Sequence, residues 1–595
     1  MALVNTYFKD TCDLKEKFGK KSIVFIQVGA FYEVYGLLDP ETNKISGSDI
    51  SEFSSLCELA ISKKNICIGK QNVLMAGVRD YMLDKYLRKM QGFGYTVAVY
   101  SQDEKAAGTT RSLTGIYSPG TFFSSETQKL TNNTMSIWLE KIQKTIVVGI
   151  SNIDIYTGKS FVFEYNQEFS TTPEAYDELE RYISIYQPSE IIVVHNLKAS
   201  LVNDILHFVD LQTECRHIIN REDKTSPHKQ KVLNCEKQTY QREVIKKYFT
   251  IEEDNNLMQY PIGTQSYCYL LDFIFQHNPD LTRKIKMPQF ENCTERLVLG
   301  NHSLKQLNII SSSLSGGSGS NGSIVDFLNQ CKTPMGKRKF NYMMVNPLTD
   351  PEKLESEYNY CDYVMKKEDS MTVRDMLTQM RDLEKLTRKT ALKKLTPADC
   401  FHMSFSLGIA SDVYSHIEND NVSSEYLFNF KKVSRDVNSF GREISEYINT
   451  VLVLDKIKDK NTLTFDDNFI KNGYDNTHDK YVEQWYDSYD ILIGIQKYFD
   501  EHVAQFEKNK KNTKTEYVKI HTTEKSGNSI ICTSRRATIL KQQLKGKNLE
   551  DIPYFSRYAK KTKSYPVDVS KLEFVKSTAS NVTIICDEIK KLCIL

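Results

Sequence analysis

The sequence predicts a multidomain protein in which mixed α/β domains are followed by a long, mainly helical region. Its 595 residues are several times the usual size of one domain, so we expect three to five domains. Apolar runs of strand length alternate with helix-like segments in the first part of the chain, and from about Gln265 the pattern becomes mostly helical. Together these observations favour an α/β plus α architecture.

The first predicted domain is a small mixed α/β unit at residues 1–125. Ile23 to Val28 is typical of a short buried strand. A helix predicted to start at Asp80 carries apolar side chains on one face and ends at two glycines, and Tyr95 to Tyr100 follows as another strand. The domain closes near Thr121.

The second predicted domain covers residues 130–262. Its predicted elements are two β-rich runs, a helix capped by Thr172 and a further buried strand. They span, in order, Thr145 to Ile150, Ser160 to Tyr165, Pro173 to Tyr186 and Ile191 to Val194. Strands followed by a helix and another strand suggest a ribonuclease-H-like layer.

The third predicted region, residues 265–470, is helical apart from one low-complexity stretch. That stretch, Ser311 to Ser323, is a flexible loop by composition. Helices are predicted after Asp350-Pro351, and a further helix carries a single apolar stripe. The stripe consists of Met376, Met380, Leu383 and Leu386.

A long helix is predicted from Tyr481 to Phe506, because apolar residues recur there every seven positions. The repeat consists of Trp485, Leu492, Phe499 and Phe506, with Tyr481 and Ile495 at adjoining positions. This spacing predicts a helix that packs lengthwise on a neighbouring helix, as in a coiled-coil arm.

Composition and motifs exclude several classes of function. Lys and Arg number 78 against 76 Asp and Glu, a net charge of +2, so nucleic-acid binding can come only from local basic patches. The 13 cysteines form no CxxC pair, no HExxH or P-loop pattern occurs, and no GxGxxG opens a helix after a strand. Zinc ribbons and the common routes of nucleotide chemistry are therefore excluded, and we expect no metal or cofactor in this chain.

The sequence also indicates the compartment of the protein. No apolar run approaches the length of a membrane span, and the first residues have neither a secretory core nor a transit composition. The odd number of scattered cysteines favours reduced, buried thiols. We therefore expect a soluble intracellular protein with no membrane partner.

The segment VGAFYEVYG, Val28 to Gly36, carries the candidate binding residues Phe31 and Glu33. They are two residues apart at a point where the chain is predicted to leave the sheet, so both side chains can lie on one side. An exposed aromatic ring can wedge between base pairs, and a nearby carboxylate can test the edge of an unstacked base. The alternative is a core aromatic beside a solvated glutamate, and FxE alone does not distinguish the two.

Two segments that follow GAFYE favour the first interpretation. They are LMAGVRDYMLDKYLRKMQGFGYTVAVYSQ, Leu74 to Gln102, and GIYSPGT, Gly115 to Thr121. In order and spacing, the three segments resemble the mismatch-recognition domain of the MutS family, with its GDFYE, PMAG and TPGT patterns. The resemblance implies that Phe31 stacks on a mispaired base from the minor groove of kinked DNA and that Glu33 hydrogen-bonds to that base. The chain departs from the family at Ala30, where Asp is usual, and at Gly115, near a basic residue of bacterial members.

The resemblance extends over about residues 18–590 and is closest to the viral and organellar branch of the family. Val147 to Tyr165, Thr333 to Leu354 and Arg381 to Cys400 are similar to the family's connector and core segments. The implied domains are a mismatch-recognition domain (1–125), a ribonuclease-H-like connector (130–262), core and lever helices (265–470 and 550–595) and a clamp of helices and short strands (471–549).

The heptad helix resembles the arm of the clamp, which places the basic residues after it at the clamp tip. These residues are Lys508, Lys510, Lys511, Arg535 and Arg536. A run of charge is usually a solvated face. Contact with DNA phosphates is the alternative, since such contacts position a protein on DNA without reading its sequence.

A nuclease is one alternative function, because ribonuclease-H-like sheets often carry nuclease sites. Two-metal hydrolysis needs several carboxylates that converge on one point. Asp154, Glu164 and Glu190 are the nearby candidates, and their spacing does not suggest convergence. A solvated surface is the favoured interpretation, so we expect no catalytic metal and no catalytic residue.

We expect the chain to recognise and clamp mismatched or damaged duplex DNA in DNA mismatch repair. The family's ATPase domain, which uses ATP and Mg, is expected to be absent, so the chain by itself is expected not to be an enzyme. The expected partners are duplex DNA with mispairs or small loops and a separately encoded MutS ATPase part or repair factor. An adaptor or scaffold in DNA repair, with vestigial DNA contact, is the other class left open.

Overall fold

The structure is a computed structural model that describes most of the chain. The described residues are 2–103, 110–123, 129–170, 172–211, 213, 215–249, 256–291, 297, 299–310, 322–367, 370–460, 468–506, 516–523, 527–576 and 580–594. They form two compact units, residues 1–445 and 446–595. The flexible loop predicted at Ser311 to Ser323 lies almost wholly outside the described residues. No helix in the described part of the chain is long and apolar enough to cross a membrane.

The first part of the larger unit is a mixed sheet with three helices. Its helices are α1 (Ala2–Phe18), α2 (Ile50–Cys57) and α3 (Leu83–Gly92). Its strands are β1 (Ser22–Val28), β2 (Phe31–Leu38), β3 (Ile45–Ser46), β4 (Ser62–Ile68), β5 (Gln71–Arg79), β6 (Thr96–Gln102) and β7 (Arg111–Tyr117). The strand order is β4-β5-β2-β1-β6-β7, with β3 beside β2 and β1 parallel to β6.

The sequence-based prediction of this part is confirmed in its main elements. Strand β1 is buried, and α3 buries Leu87 and Met90 on one face, as their spacing requires. The predicted first turn at Asp80 is a short 3₁₀ turn that precedes α3. The loop between β1 and β2 has two residues, and Gly29 has a φ of +61°, a conformation that favours glycine at the first position of such a hairpin.

A second mixed sheet follows. Its strands are β8 (Asn133–Ile142), β9 (Thr145–Asp154), β10 (Ser160–Glu168), β11 (Glu190–His195), β12 (Cys215–Asn220) and β13 (Gln289–Phe290). Its helices are α4 (Asp177–Tyr186), α5 (Ala199–Phe208), α6 (Lys229–Cys235), α7 (Gln238–Tyr248), α8 (Asn256–Gln259) and α9 (Pro261–His277). The order is β12-β11-β8-β9-β10-β13, with β8, β9 and β10 antiparallel and β11 parallel to both β8 and β12.

The predicted strands and helix of this second sheet are confirmed, with two corrections. Thr172 precedes a 3₁₀ turn, but its side chain makes no capping hydrogen bond. The predicted change to a separate helical region near Gln265 falls inside α9, whose side chains Tyr267 and Leu270 pack with Trp138 of β8 in one apolar core. This helix covers one face of the sheet, while α4 and α5 cover the other.

The rest of this unit is helical, as predicted. Its helices are α10 (Asn301–Gln306), α11 (Ile324–Leu328), α12 (Pro334–Val345), α13 (Pro351–Lys366), α14 (Ser370–Gln379), α15 (Leu383–Ala391), α16 (Pro397–Glu418), α17 (Asn421–Ser424) and α18 (Val437–Val451), which extends past residue 445, with a π-helical turn at Glu425–Phe430. Asp350 caps α13 by accepting hydrogen bonds from two backbone N–H groups. The prediction of one helix from Met376 to Leu386 is wrong, because Asp382 caps the backbone N–H of Lys385 and starts a new helix there.

The smaller unit combines one long helix with short strands. Its elements are α19 (Leu454–Ile457), α20 (Asn476–Ala504), β14 (Val518–Thr523), β15 (Gly527–Thr533), α21 (Ser534–Gln543), β16 (Leu549–Ser556), β17 (Lys561–Asp568), β18 (Glu573–Lys576), β19 (Asn581–Ile585) and α22 (Asp587–Ile594). Strands β16 and β17 form a hairpin, and the others form a sheet in the order β14-β15-β19-β18.

The long helix is confirmed, but the lengthwise packing on a helix is wrong. Of the heptad residues, Leu492 and Phe499 are buried, whereas Trp485 and Phe506 are exposed. The buried residues of α20 pack in one apolar core with residues of β15, β16 and β17, for example Ile552 of β16. Heptad spacing identified the buried face in the middle of α20 but not at its ends, and strands rather than a helix supply most of the cover of that face.

The predicted lever helices at residues 550–595 are also corrected. This segment forms strands β16 to β19 and ends in the short helix α22. Strand β19 pairs with β15, and thus belongs to the same sheet as the segment predicted to form the clamp. The burial of β16 alternates between strand faces, which is the period-2 signal of a half-exposed strand.

Candidate nucleic-acid interface

Phe31 and Glu33 lie at the start of β2, directly after the hairpin turn. They are therefore within the sheet, not at the point where the chain leaves it, and because they are two residues apart their side chains share one face. Phe31 is 43% exposed, although large aromatic side chains are usually buried. The guanidinium of Arg79, the residue opposite Phe31 on β5, lies 5.8 Å from the centre of the Phe31 ring.

Glu33 is buried, with 8% of its surface exposed, and it is held by two donors. The Lys64 ammonium lies 2.7 Å from Oε2 of Glu33, and the Tyr35 hydroxyl donates to the same oxygen at 2.5 Å. Lys64 also donates to the Tyr35 hydroxyl at 3.0 Å. Burial raises the pKa of Tyr35, and so does its hydrogen bond to Glu33, so this hydroxyl remains a donor at physiological pH.

Phe31 and Glu33 thus form a site in which an exposed ring stands beside a recessed acceptor. Arg79 and Lys64 flank it with positive charge. The ring can stack on a flat aromatic ligand, and the carboxylate can accept a hydrogen bond from a ligand edge that reaches it. The sequence identified Phe31 and Glu33 but missed Lys64 and Arg79.

The predicted phosphate-contact residues are only partly described. Lys508, Lys510 and Lys511 lie outside the described residues. Arg535 is exposed in the first turn of α21. Arg536 is half-buried, donates to the backbone oxygen of Tyr517 at 3.1 Å and lies 4.9 Å from the centre of that residue's ring. The two arginines therefore differ in burial: Arg536 is half-buried against Tyr517, whereas Arg535 is exposed.

The carboxylates considered for a nuclease site do not converge. Asp154 pairs in register with Asn133 of β8, and Glu190 pairs with Thr134 of the same strand. Neighbouring residues of a strand point to opposite faces, so Asp154 and Glu190 lie on opposite faces of the sheet. Asp154 is used in the turn after β9, where it accepts from backbone N–H groups and from the Thr157 hydroxyl.

Glu164 shares a face with Glu190 but is far from it. Its register partners place it four positions further along β8, which corresponds to ~13 Å. Its carboxylate accepts the backbone N–H groups of Ile262 and Gly263 and thus caps the start of α9. The three carboxylates each have their own structural partners and do not converge on one point.

One group of side chains in the described part of the chain has the donor atoms of a metal site: Glu190, Cys215 and His217. His217 Nε2 lies 2.7 Å and Cys215 Sγ 3.3 Å from Oε1 of Glu190. The other oxygen, Oε2, accepts from the Ser118 hydroxyl and from the backbone N–H of Gly120. Burial raises the pKa of the Cys215 thiol, and so does the neighbouring Glu190 carboxylate, so the thiol donates its hydrogen bond to Glu190.

Glu190 also fixes the segment GIYSPGT to the second sheet. Its two donors Ser118 and Gly120 belong to that segment. A Cβ atom at Gly120 would lie 2.5 Å from the Cβ of Glu190, so only glycine permits this approach. The last of the three segments recognised in the sequence is thus an anchor between two parts of the fold.

Comparison with known proteins gives matches in two regions. Residues 302–563 match the family model described as MutS domain III, and residues 7–126 match the model described as MutS domain I. A mutS homolog of Acanthamoeba polyphaga mimivirus is 24% identical over 572 residues, which cover 90% of this chain and 50% of that protein. The DNA mismatch repair protein MutS of Borrelia garinii is 24% identical over 501 residues, 82% of this chain and 50% of its own.

A third relative has a shorter match. The DNA mismatch repair protein MutS of Thermotoga neapolitana is 23% identical over 424 residues, which cover 70% of this chain and 45% of that protein. The chain thus spans about half the length of the curated relatives it matches. The matched regions include both Phe31 and Glu33 in the first region and Arg535 and Arg536 in the second.

Proposed function

The chain belongs to the MutS family, as a distant homologue with MutS domains I and III, and from this premise we propose that it recognises mispaired or poorly stacked sites in duplex DNA. The observation that carries the proposal is the exposed ring of Phe31 beside Glu33 on one face of β2. A mispair is easier to unstack and kink than a matched pair, so a wedge selects it by the lower cost of deformation.

In this proposal Phe31 enters the base stack and Glu33 accepts a hydrogen bond from the displaced base. Stacking of a base on an aromatic side chain is worth roughly 1–3 kcal/mol. Arg79, which faces the Phe31 ring, supplies positive charge beside the wedge. Contacts with phosphates would add affinity for any duplex, and the net charge of +2 means that they must come from local groups such as Arg535 and Lys508, Lys510 and Lys511.

The remaining parts of the proposal concern the other regions of the chain. The topology of the second sheet, three antiparallel strands followed by parallel strands linked through helices, supports a ribonuclease-H-like connector. The long helix α20 with its strands is proposed to be the DNA clamp. We propose that residues 1–595 do not hydrolyse ATP by themselves, because they contain no P-loop motif.

A pair of alanine variants tests the wedge. Phe31→Ala is expected to reduce affinity for a duplex with one mispair by about tenfold to a hundredfold, with little change for the perfect duplex. Phe93→Ala is the matched control, because Phe93 has a similar exposure of 46% in the same sheet domain but lies at the end of α3. Fluorescence anisotropy titrations with both duplexes measure the effect.

Two outcomes would contradict the proposal. Equal weakening of both duplexes by Phe31→Ala would show that the ring supports the fold or a general DNA contact. Equal affinity of the unmodified chain for both duplexes would leave an adaptor in DNA repair as the better account.

A further inference from the structure

Lys64 contacts the site formed by Phe31 and Glu33 from a different strand. It lies on β4, which is separated from β2 by β5, so its side chain reaches over β5 to contact Glu33. The pairing of β4 with β5 is irregular between Lys63 and Cys67, and Lys64 lies within this irregularity. Its ammonium also lies 4.6 Å from the centre of the Tyr35 ring. Three contacts therefore fix one lysine over the recessed end of the site.

The contacts use only one of the two oxygens of Glu33. Among the described residues, Lys64 and Tyr35 both donate to Oε2, and no hydrogen bond to Oε1 is formed. A carboxylate accepts several hydrogen bonds, so Oε1 keeps its capacity to accept one from a ligand. A carboxylate held at one oxygen is also fixed in orientation, which reduces the entropy that binding has to remove.

The ion pair also changes how Glu33 meets DNA. An unpaired carboxylate near a duplex is repelled by the phosphates, whichever bases are present. The adjacent ammonium cancels most of this repulsion, because the two charges are 2.7 Å apart. The pair can therefore approach any duplex. A displaced base exposes the N–H groups of its pairing edge, which are engaged in a matched pair, and Oε1 can accept a hydrogen bond from one of them.

We propose that Lys64 is a specificity-determining residue of the mispair site: it neutralises and orients Glu33 through Oε2 and leaves Oε1 to accept a hydrogen bond from a displaced base. This inference rests on the proposed function. Lys64 acts through Glu33 and is a positioning residue, since its own contacts are with Glu33 and Tyr35.

The readout is the discrimination ratio, the Kd for a perfect duplex divided by the Kd for the same duplex with one mispair. Lys64→Met is expected to reduce this ratio about tenfold, because Glu33 loses its orientation. Lys63→Met removes the same charge from the neighbouring, exposed position of β4, and is expected to leave the ratio unchanged. A loss of folded protein would raise both Kd values by the same factor, so it does not move the ratio.

A double variant tests whether Lys64 acts through Glu33. When Glu33→Ala is already present, Lys64→Met should change both Kd values as Lys63→Met does and leave the ratio where Glu33→Ala set it. An unchanged ratio for Lys64→Met alone, with Phe31→Ala abolishing the preference, would overturn the proposal for Lys64 and leave the proposed function standing. An equal fall for Lys63→Met would also overturn it. If the unmodified chain shows no preference for the mispair, the proposed function fails and the inference fails with it.

Discussion

Glu33 and Glu190 are both buried glutamates on strands, and each is paired with a basic side chain, but they differ in what they leave open. Both oxygens of Glu190 are taken by donors from Ser118, Gly120, Cys215 and His217. In Glu33 the two donors share Oε2. Burial alone therefore does not identify a carboxylate that binds a ligand. A saturated carboxylate stabilises the fold, whereas one with an unused oxygen beside an exposed aromatic ring is available to a ligand.

The electrostatics of Glu190 fit a structural role. Burial by itself would raise the pKa of Glu190, but the hydrogen bond and charge of His217 and the hydrogen bond from Ser118 lower it to about 2. His277, at the end of α9 nearby, has its pKa lowered to about 4, chiefly by burial, with Glu190 acting in the opposite direction. The charged carboxylate is thus the form the fold requires.

The same substitution at both glutamates should give the largest contrast. Glu190→Gln replaces one acceptor oxygen by an NH2 group, which then faces the donors that the carboxylate satisfied. The substitution is expected to lower the free energy of unfolding by about 3 kcal/mol or more. Glu33→Gln is expected to lower it by about 1 kcal/mol or less, because Lys64 is partly exposed and can be solvated. Urea unfolding followed by circular dichroism measures both. Equal losses would remove the distinction between the two sites.

A second expected effect is a pH dependence centred on the Glu190 region. The folded pKa of His277 is about 4 and its ordinary value 6.5, so the unfolded state binds a proton at a pH where the folded state does not. This contribution to stability is present above about pH 6.5 and is lost as the pH falls towards 4, about 2 kcal/mol between pH 7.5 and pH 5. His277→Gln should show a smaller decrease over the same range in chemical unfolding. An identical decrease in the variant would show that other groups cause it.

Whether the sequence could predict a residue of these two sites depends on how far it lies along the chain from the residues it contacts. Phe31, Glu33 and the anchor segment with Gly120 are each part of a short motif, so they could be recognised without a structure. Lys64 could not, since it reaches Glu33 across an intervening strand from an irregular position. Such a contact depends on strand order, which no local pattern specifies.

The long helix shows the same limit. Its spacing identified an apolar face, but it could not identify the strands that cover this face. The strands at residues 549–568 had an available signal, because Ile552, Tyr554 and Ser556 are buried alternately with exposed neighbours. This alternation contradicts the lever helices that the family resemblance predicts for the segment.

A smaller effect is expected at Glu33 in DNA binding. Glu33→Ala should reduce the discrimination ratio by about tenfold, because a hydrogen bond to the displaced base is lost. It also frees the Lys64 ammonium, so affinity for the perfect duplex should rise rather than fall. Titrations of both duplexes in one buffer test this. A fall in affinity for the perfect duplex would show that the carboxylate is needed for the fold of the site.

The smallest expected effect separates the two arginines of α21. Arg535→Glu should weaken binding to both duplexes alike and reduce the slope of log Kd against log salt by about 1. Arg536→Glu should lower the melting temperature, because Arg536 holds the Tyr517 backbone and ring. Binding at two salt concentrations and thermal unfolding distinguish them. No change in the salt slope for Arg535→Glu would place this residue outside the DNA contact.

The most direct test of the central claim is to observe the base stack itself at saturating protein. A duplex carries 2-aminopurine beside a single mispair, because the fluorescence of this base rises when it is unstacked. The account predicts a rise on binding of the unmodified chain and of Phe93→Ala, and no rise with Phe31→Ala once that variant is also saturated. The same rise with Phe31→Ala, or none with the unmodified chain, would contradict the claim that Phe31 is the wedge.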